Sequence, residues 1–220
     1  MTDPFDFIRA NTALLPPPLV PEVKLHLATE VLPLWRLTEE ELQERGVPPP
    51  YWAFAWAGGQ ALARYVLDHP DVVRGAVLDF GAGSGLVAIA AALAGAAPVL
   101  AADIDRFATA AIEFNAQANG VAVATTSDDL IGGPVSWNTI LVGDMCYERP
   151  LAERLLVWLK QAAAGGATVL LGDPGRSYFP KSGLEKLAAY QVAVTRDLED
   201  REIRDTGVYR LLTGAGAGPT

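Results

Sequence analysis

The stretch Val77–Val87, VLDFGAGSGLV, decides the fold of this chain, because in it an apolar run passes directly into a glycine-rich turn. The apolar run predicts a buried strand, and the small and apolar residues after Ser84 predict a helix. In open α/β sheets, ligands bind beyond the carboxyl ends of the strands. Glycines at such a turn let the main chain come close to a ligand. We therefore expect the turn to form part of a ligand site.

The spacing of the three glycines narrows the class of ligand. Gly81, Gly83 and Gly85 follow the pattern G-x-G-x-G. A dinucleotide fingerprint requires its third glycine at position 86, which is Leu86, and a phosphate loop requires a lysine after the glycines. Both phosphate-binding patterns therefore fail. A nicotinamide-dependent oxidoreductase becomes a weaker alternative, and a binding module without enzymatic activity is another.

Apolar patterns on both sides of this turn alternate between strand and helix periods. Helices are predicted at 59–68, 84–95 and 107–118 and from Pro150 onward, with strands at 75–80, 98–103, 121–125, 138–143 and 167–172. This alternation predicts a mostly parallel sheet with helices on both faces. Ser182 and Glu185 form a capping-box pattern, which predicts one more helix. The segments 191–198 and 206–212 are joined by a charged loop and predict an antiparallel hairpin.

The first part of the chain differs from the rest in its proline content. Nine of the sixteen prolines lie within the first 50 residues, so we predict an irregular N-terminal arm over residues 1–57. One short helix interrupts the arm, because Thr38 and Glu41 form a capping box, Leu37 and Leu42 fit a hydrophobic staple and Gly46 supplies a stop. The main domain is predicted over 58–213, and residues 214–220 are predicted to be a flexible tail.

Composition excludes several classes of protein. Cys146 is the only cysteine and there are only two histidines, so we expect neither a disulfide nor a metal site. The net charge of −9 opposes nucleic-acid binding and favours cationic partners. No apolar run is long enough to span a membrane, so no membrane partner is expected. The first residues match no secretory or transit segment, and we predict a cytoplasmic location. The sequence leaves the oligomeric state open.

Carboxylates follow the next two predicted strands. Asp103 closes the second strand, where it could accept both hydrogen bonds of a ribose diol; the alternative role is to cap the next helix, which suits Asp105 better. Asp128 and Asp129 follow the third strand, together with Leu130. A carboxylate at that rim could accept a hydrogen bond from the amine of an adenine, and an ordinary Asx turn is nearly as good an interpretation.

A second group of polar residues follows the fourth strand. Asp144 could accept a hydrogen bond from an amine, and Tyr147 could orient that amine or offer a π face to a cation. The alternative is a turn residue and an aromatic side chain at the edge of the core. Cys146 is predicted to be a small buried side chain. Trp56 precedes a Gly-Gly pair that could admit a ligand; aromatic residues of this kind are more often part of the core, and the two roles can coexist. The segment 173–176 forms either another functional loop or a tight turn.

The motifs at these positions resemble a known family. VLDFGAGSG followed by Asp103 is similar to the first motif of the seven-strand S-adenosylmethionine-dependent methyltransferases. The segments PPPYWAFAWAGG, LVGDMCYE and VLLGDPGRSYFP resemble the lysine methyltransferases of the electron transfer flavoprotein β subunit, relatives of the ribosomal-protein methyltransferases. Ala57 stands where we expect proline in relatives. The likeness extends over nearly the whole chain.

The resemblance implies a fold, a cofactor and a reaction. The fold would be Rossmann-like, with seven strands, mostly parallel, and the C-terminal hairpin as the antiparallel part. The cofactor would be S-adenosylmethionine, contacted by Trp56 and by the turn that contains Gly81 and Gly83, while Asp144 and Tyr147 would lie beside the acceptor. The reaction would be methylation of protein lysines, in the electron transfer flavoprotein β subunit. The alternative acceptors are a ribosomal protein and a small-molecule amine.

Overall fold

A central seven-stranded sheet organises the chain in the computed structural model, which describes residues 3–29, 39–44, 46–194 and 202–213. The strands are β1 Ala13–Leu15, β2 Leu25–Leu27, β3 Val77–Phe80, β4 Val99–Ala102, β5 Ala124–Thr126, β6 Thr139–Gly143, β7 Thr168–Asp173, β8 Leu184–Ala193 and β9 Ile203–Leu211. The helices are α1 Pro4–Asn11, α2 Glu39–Glu44, α3 Ala57–Asp68, α4 Leu86–Leu93, α5 Arg106–Ala118 and α6 Arg149–Ala164.

The order of the strands in the sheet is β5-β4-β3-β6-β7-β9-β8. The pairs from β5 to β7 are parallel, and β9 is antiparallel to both of its neighbours. This topology confirms the predicted Rossmann-like fold with a C-terminal antiparallel hairpin. The chain runs outward from β3 through β4 to β5 and then returns to place β6 on the other side of β3. Such a reversal opens a crevice at the carboxyl ends of β3 and β6.

Strand β3 is buried on both faces, as its continuous apolar run predicts. Val77 packs in the cluster that includes residues of α3 and α4, whereas Leu78 packs in the cluster formed with α6. Both side chains are fully buried, and successive strand residues point to opposite faces. Burial of each stabilises the fold by about 1.5 to 3 kcal/mol. The core therefore fixes the strand that carries the glycine turn.

The helix predicted from the Ser182–Glu185 capping box is wrong. Residues Leu184–Ala193 form strand β8, which pairs with β9 along its length with a register shift between Lys186 and Ala188. A capping box is a local signal, whereas pairing with β9 provides partners for the backbone groups along one edge of the segment. The predicted hairpin is confirmed, and its first strand begins seven residues earlier than 191. Residues 195–198 lie outside the described part of the chain.

The N-terminal arm contains more secondary structure than the sequence predicted. Helix α1 begins after Asp3, whose Oδ1 accepts a hydrogen bond from the backbone N–H of Asp6 at 3.0 Å, and β1 pairs with β2. Neither feature was predicted. Phe7 packs against Phe107 of α5, with ring centroids 5.5 Å apart. Helix α2 agrees with the predicted short helix, although Leu37, Thr38 and the tail 214–220 lie outside the described residues.

Two properties of the described residues bear on the predicted partners. None of the helices in this part of the chain is both long and apolar enough to cross a membrane. Over the same residues, His, Cys, Asp and Glu side chains form no group of three or more that could hold a metal ion.

The division of the chain into an N-terminal arm and a main domain at residue 57 stays a prediction.

Candidate active site

A cavity of about 600 Å³ opens above the crevice between β3 and β6. Its volume lies within the range of about 300 to 1,000 Å³ that is usual for small-molecule sites. Most of the residues predicted for the site line this cavity: Trp56, Gly81, Gly83, Asp103, Asp128, Asp129, Asp144 and Tyr147. Gly85 and Leu130 are outside the lining. The fold thus joins residues from four strand ends around one space.

The glycine turn forms the wall of the cavity with its main chain. Gly81 and Gly83 have φ angles of +66° and +52°, a left-handed conformation that favours glycine. A Cβ on Gly81 would collide with the side chain of Met145. A Cβ on Gly83 would have Trp52 Cα as its nearest neighbour, at 3.9 Å. Gly83 therefore faces open space, and its missing side chain leaves room for a ligand.

Gly85 and Leu130 serve the packing of the fold. Gly85 is the N-cap residue of α4 with φ +77°, and a Cβ there would lie 3.0 Å from the side chain of Ile112. Leu130 packs against the hydrophobic cluster that includes residues of α6. The next residue, Ile131, lines the cavity instead. A sequence pattern finds the loop but not which of two neighbouring apolar side chains faces the ligand.

Asp103 anchors the turn from the end of β4. Its Oδ2 accepts a hydrogen bond from the N–H of Gly83 at 2.9 Å, and its Oδ1 accepts one from the N–H of Asp105 at 3.0 Å. Burial raises the pKa of Asp103. Asp105 caps α5 by accepting a hydrogen bond from Phe107 N at 2.8 Å, which confirms the capping role predicted for it. A carboxylate has about four lone-pair sites, so Asp103 can accept further hydrogen bonds.

The acidic residues of the rim beyond β5 form the Asx turn that was one of their two interpretations. Asp129 Oδ1 accepts a hydrogen bond from Ile131 N at 3.0 Å, which is the Asx-turn interpretation, and its Oδ2 pairs with Arg154 at 2.8 Å. That hydrogen bond with Arg154 lowers the pKa of Asp129. Asp128 pairs with the hydroxyl of Thr126 at 2.9 Å. Asp128 and Asp129 also line the cavity, and their contact with an adenine stays a prediction.

Asp144 closes β6 on the other side of the cavity. It is a non-glycine residue with a positive φ, +58°, a conformation that costs about 1 to 3 kcal/mol and requires support from its surroundings. Its Oδ2 accepts a hydrogen bond from Gly59 N at 3.0 Å, and its Oδ1 accepts from Arg176 Nη2 at 2.8 Å and Nε at 3.2 Å. Donors from α3 and from the loop after β7 thus hold this carboxylate at the cavity wall.

Three aromatic rings stand beside Asp144. The ring centroids of Tyr51 lie 6.1 Å from those of both Trp56 and Tyr147, and the indole N–H of Trp56 donates to the carbonyl of Tyr51 at 2.8 Å. Tyr147 is 44% exposed, so it is not a core aromatic, whereas Trp52 is buried in the core. Partial burial raises the pKa of the Tyr147 phenol, so this group is neutral near pH 7. The rings form an aromatic wall next to a carboxylate.

Comparison with known proteins now assigns a family. A Xenopus laevis protein named electron transfer flavoprotein beta subunit lysine methyltransferase is 40% identical over 218 residues, covering 94% of this chain and 87% of the relative. This chain belongs to that family. The human protein of the same name is 40% identical and covers 87% of this chain and 75% of its own length. The family that the sequence motifs resemble is therefore confirmed.

More distant likenesses agree with the fold. The family model described as ribosomal protein L11 methyltransferase matches residues 60–136. A ribosomal protein L11 methylase from Lactobacillus delbrueckii subsp. bulgaricus is 23% identical with a TM-score of 0.51, covering 73% of this chain and 81% of that one. A magnesium protoporphyrin IX methyltransferase from Synechocystis, solved with bound SAM, is 17% identical with a TM-score of 0.50. The match covers 69% of this chain and 77% of that one. These structures share the fold.

Two residues of this family member escaped the sequence interpretation. Arg176 lies in the segment 173–176, for which the sequence predicts either a functional loop or a tight turn; the structure shows a turn, and Arg176 lines the cavity. Asp173 Oδ1 accepts hydrogen bonds from Gly175 N and Arg176 N, each at 2.7 Å, and the resulting turn delivers Arg176 to Asp144. The sequence did contain a signal for this contact, because Asp144 and Arg176 carry opposite charges and follow two strands that were predicted to lie in the same sheet. Tyr51 lines the cavity but was quoted only as part of a motif.

The Gly-Gly pair and Cys146 have structural roles. A Cβ on Gly58 would collide with the carbonyl oxygen of Gly172, so this glycine permits the close approach of α3 to β7. Gly59 supplies the N–H that binds Asp144. Neither of them lines the cavity, in contrast to the ligand approach suggested by the sequence. Cys146 is buried as predicted, and burial raises the pKa of its thiol to about 12, which keeps it unreactive.

Proposed function

We propose that this chain transfers methyl groups from S-adenosylmethionine to lysine side chains of the electron transfer flavoprotein β subunit. The observation that carries the proposal is that one cavity is lined both by a glycine turn with its carboxylate and by a second carboxylate with an aromatic side chain. Gly81, Gly83 and Asp103 form one side of it, and Asp144 and Tyr147 form the other. Such a space can hold a methyl donor against one wall and an acceptor against the other.

The cofactor fits the first side of the cavity on chemical grounds. A side chain at Gly83 would occupy the space that a ligand needs, and the lone pairs left on Asp103 suit the two hydroxyls of a ribose. The glycine turn would face the methionine part, and Asp128 and Asp129 would lie at the adenine rim. Bound there, S-adenosylmethionine supplies an electrophilic methyl group on a positively charged sulfur.

The acceptor side suits a lysine that enters as an amine. The nucleophilic nitrogen must be neutral, whereas a free lysine has a pKa of about 10.4, so the cavity has to favour the neutral form. Asp144 can accept a hydrogen bond from an amine N–H and so direct the nitrogen lone pair. Tyr51 and Tyr147 can pack along the aliphatic stem. Alignment of this kind contributes about 7 to 11 kcal/mol in well-oriented reactions.

The degree of each likeness favours a lysine of this flavoprotein over a ribosomal protein. A ribosomal protein L11 methyltransferase from Exiguobacterium is 28% identical over 81% of this chain. The Xenopus laevis lysine methyltransferase is 40% identical over 94% of it. The net charge of −9 also favours a lysine-rich docking loop and predicts that association weakens as salt is added.

The proposal is tested by incubating the purified chain with isotopically labelled S-adenosylmethionine and three acceptors in parallel. These are the electron transfer flavoprotein, ribosomal protein L11 and butylamine. We expect mass increments of whole methyl groups on lysines of the flavoprotein β subunit alone. Labelling of only the ribosomal protein or butylamine would overturn the acceptor, and absence of cofactor binding by calorimetry would overturn the enzyme assignment.

A further inference from the structure

Arg176 and Asp144 form an ion pair within the wall of the cavity. Two nitrogens of the guanidinium contact the same carboxylate oxygen, at 2.8 and 3.2 Å, while Gly59 N binds the other oxygen. The side chains of Arg176 and Asp144 are only 20% and 10% exposed. A pair that is this shielded is weakly screened by solvent, so the cation strongly affects the properties of the carboxylate.

Arg176 is itself held at both ends. Its backbone N–H donates to Asp173 Oδ1 at 2.7 Å, and its guanidinium carbon lies 5.6 Å from the ring centroid of Trp56. Asp173 is buried at the end of β7, and it binds the N–H of Gly175 as well. The turn and the aromatic face thus fix the direction of the arginine side chain. These contacts hold the Arg176 cation in the cavity wall beside Asp144.

We propose that Arg176 is a positioning residue that fixes Asp144 and, by balancing its charge, keeps the bound acceptor lysine neutral; this inference rests on the proposed lysine methylation. A carboxylate without a counter-ion raises the pKa of a neighbouring amine, and an ammonium has no lone pair to attack with. With Arg176 in place, Asp144 still accepts an N–H hydrogen bond but attracts the proton less. Asp144 can therefore orient the amine without also favouring its protonated form.

The other titratable groups around Asp144 support this charge balance. Burial raises the pKa of the Cys146 thiol to about 12 and also raises that of the Tyr147 phenol, so both are neutral near pH 7. Burial raises the pKa of Asp173 to about 6, and the nearby Arg176 cation favours its ionised form. Loss of the Arg176 cation would leave Asp144 and Asp173, at the ends of β6 and β7, without this neighbouring positive charge.

The test is the pH dependence of a single round of methyl transfer to the flavoprotein β subunit. In Arg176→Gln, we expect the midpoint of the rate to rise by about one pH unit, because a compensating charge has been removed. The rate near neutral pH then falls about tenfold and recovers in alkaline buffer. Arg74→Gln is the matched control, since Arg74 is exposed and pairs with exposed Asp71; its midpoint should equal that of the wild type.

A second variant separates charge from geometry. Arg176→Lys keeps the cation but cannot place two nitrogens on one oxygen, so we expect an unchanged midpoint with a lower rate at every pH. A wild-type rate in Arg176→Lys would overturn the positioning role. This variant also decides the matter if Arg176→Gln unfolds. An unchanged midpoint in a folded Arg176→Gln enzyme would overturn the charge-balancing role.

Proton release provides a readout that is independent of catalysis. Binding of the β subunit in the presence of S-adenosylhomocysteine is measured by calorimetry in two buffers of different ionisation enthalpy. We expect the wild type to release more protons on binding near neutral pH than Arg176→Gln, and equal release would overturn the inference. A wild type that methylates no lysine at all would instead overturn the proposed function. The two failures are therefore distinguishable.

Discussion

The two sides of the cavity are built from different materials. The side above β3 and β4 is mostly main chain, with Gly81 and Gly83 in left-handed conformations and one carboxylate, Asp103, bound to the turn. The side above β6 and β7 is mostly side chain, with the Asp144–Arg176 pair beside aromatic rings. We refer to these as the cofactor side and the acceptor side.

This difference in composition predicts how substitutions on each side affect binding and catalysis. A main-chain surface depends on the absence of side chains, so almost any added atom at Gly83 intrudes into the cavity. An ion pair depends on both partners, so removal of one leaves the other shielded from water without its counter-charge. The cofactor side should therefore fail in binding, and the acceptor side should fail in methyl transfer.

The sharpest test of this separation is Asp144→Asn. Asparagine tolerates a positive φ and keeps the size of the side chain, so the backbone should be preserved. We expect methyl transfer to fall by about 100-fold, the usual effect of a misplaced reactant, with unchanged cofactor affinity. Single-turnover rates and calorimetry measure the two quantities. A large loss of cofactor affinity would break the comparison, because Asp144 would then serve both sides.

Asp103→Asn is the converse change on the cofactor side. Hydrogen bonds to a charged group contribute about 1.5 to 3 kcal/mol each, so we expect cofactor affinity to fall by about 10- to 100-fold. The rate at saturating cofactor should change much less. Calorimetric titration gives the affinity. Wild-type affinity in this variant would remove Asp103 from the set of ligand contacts.

Gly83→Ala tests the main-chain wall, with Gly120→Ala as its control. Both glycines have positive φ angles, and a Cβ on Gly120 would meet no atom within 4 Å. Each alanine should destabilise the fold by about 1 to 2 kcal/mol. Only Gly83→Ala should also weaken cofactor binding, by about tenfold, since its methyl group enters the cavity. Equal cofactor affinity in the two variants would argue against a wall at Gly83.

The smallest expected effect on activity concerns Asp79, a buried residue of β3 behind the glycine turn. Its Oδ2 accepts a hydrogen bond from Ala88 N at 2.8 Å, and burial raises its pKa to about 7. Below about pH 4 the carboxyl is protonated in both the folded and unfolded states. As the pH rises from about 4 to about 7, the unfolded state loses this proton first, so the free energy of unfolding falls.

Asp79→Asn removes this titration. Relative to the wild type, we expect the variant to gain roughly 3 to 4 kcal/mol above about pH 7, because a rise in pKa of one is equivalent to about 1.4 kcal/mol, and to gain little near pH 4. Thermal unfolding across this range measures the difference. Asp71→Asn is the control, because its side chain is 94% exposed. A difference that does not change with pH would show that the pKa of Asp79 is not raised by burial.

Prediction from the sequence succeeded where the signal is local. The apolar run of β3, the glycine spacing and the helix cap at Asp105 each depend on residues within a few positions of one another. Prediction failed at β8 for the complementary reason. The capping-box pattern at Ser182 is also local, but the backbone of that segment finds its partners in β9, on the far side of a loop.

By itself, the sequence determined the parallel core, the glycine turn with its acidic partner and the family of the chain, because these depend on short-range patterns. Only the tertiary structure decided which residues hold Asp144 at the cavity wall. Gly59, Asp144 and Arg176 come from three separate segments and meet because the carboxyl ends of β6 and β7 lie side by side under the start of α3. A contact between segments so far apart leaves no periodic trace in the chain.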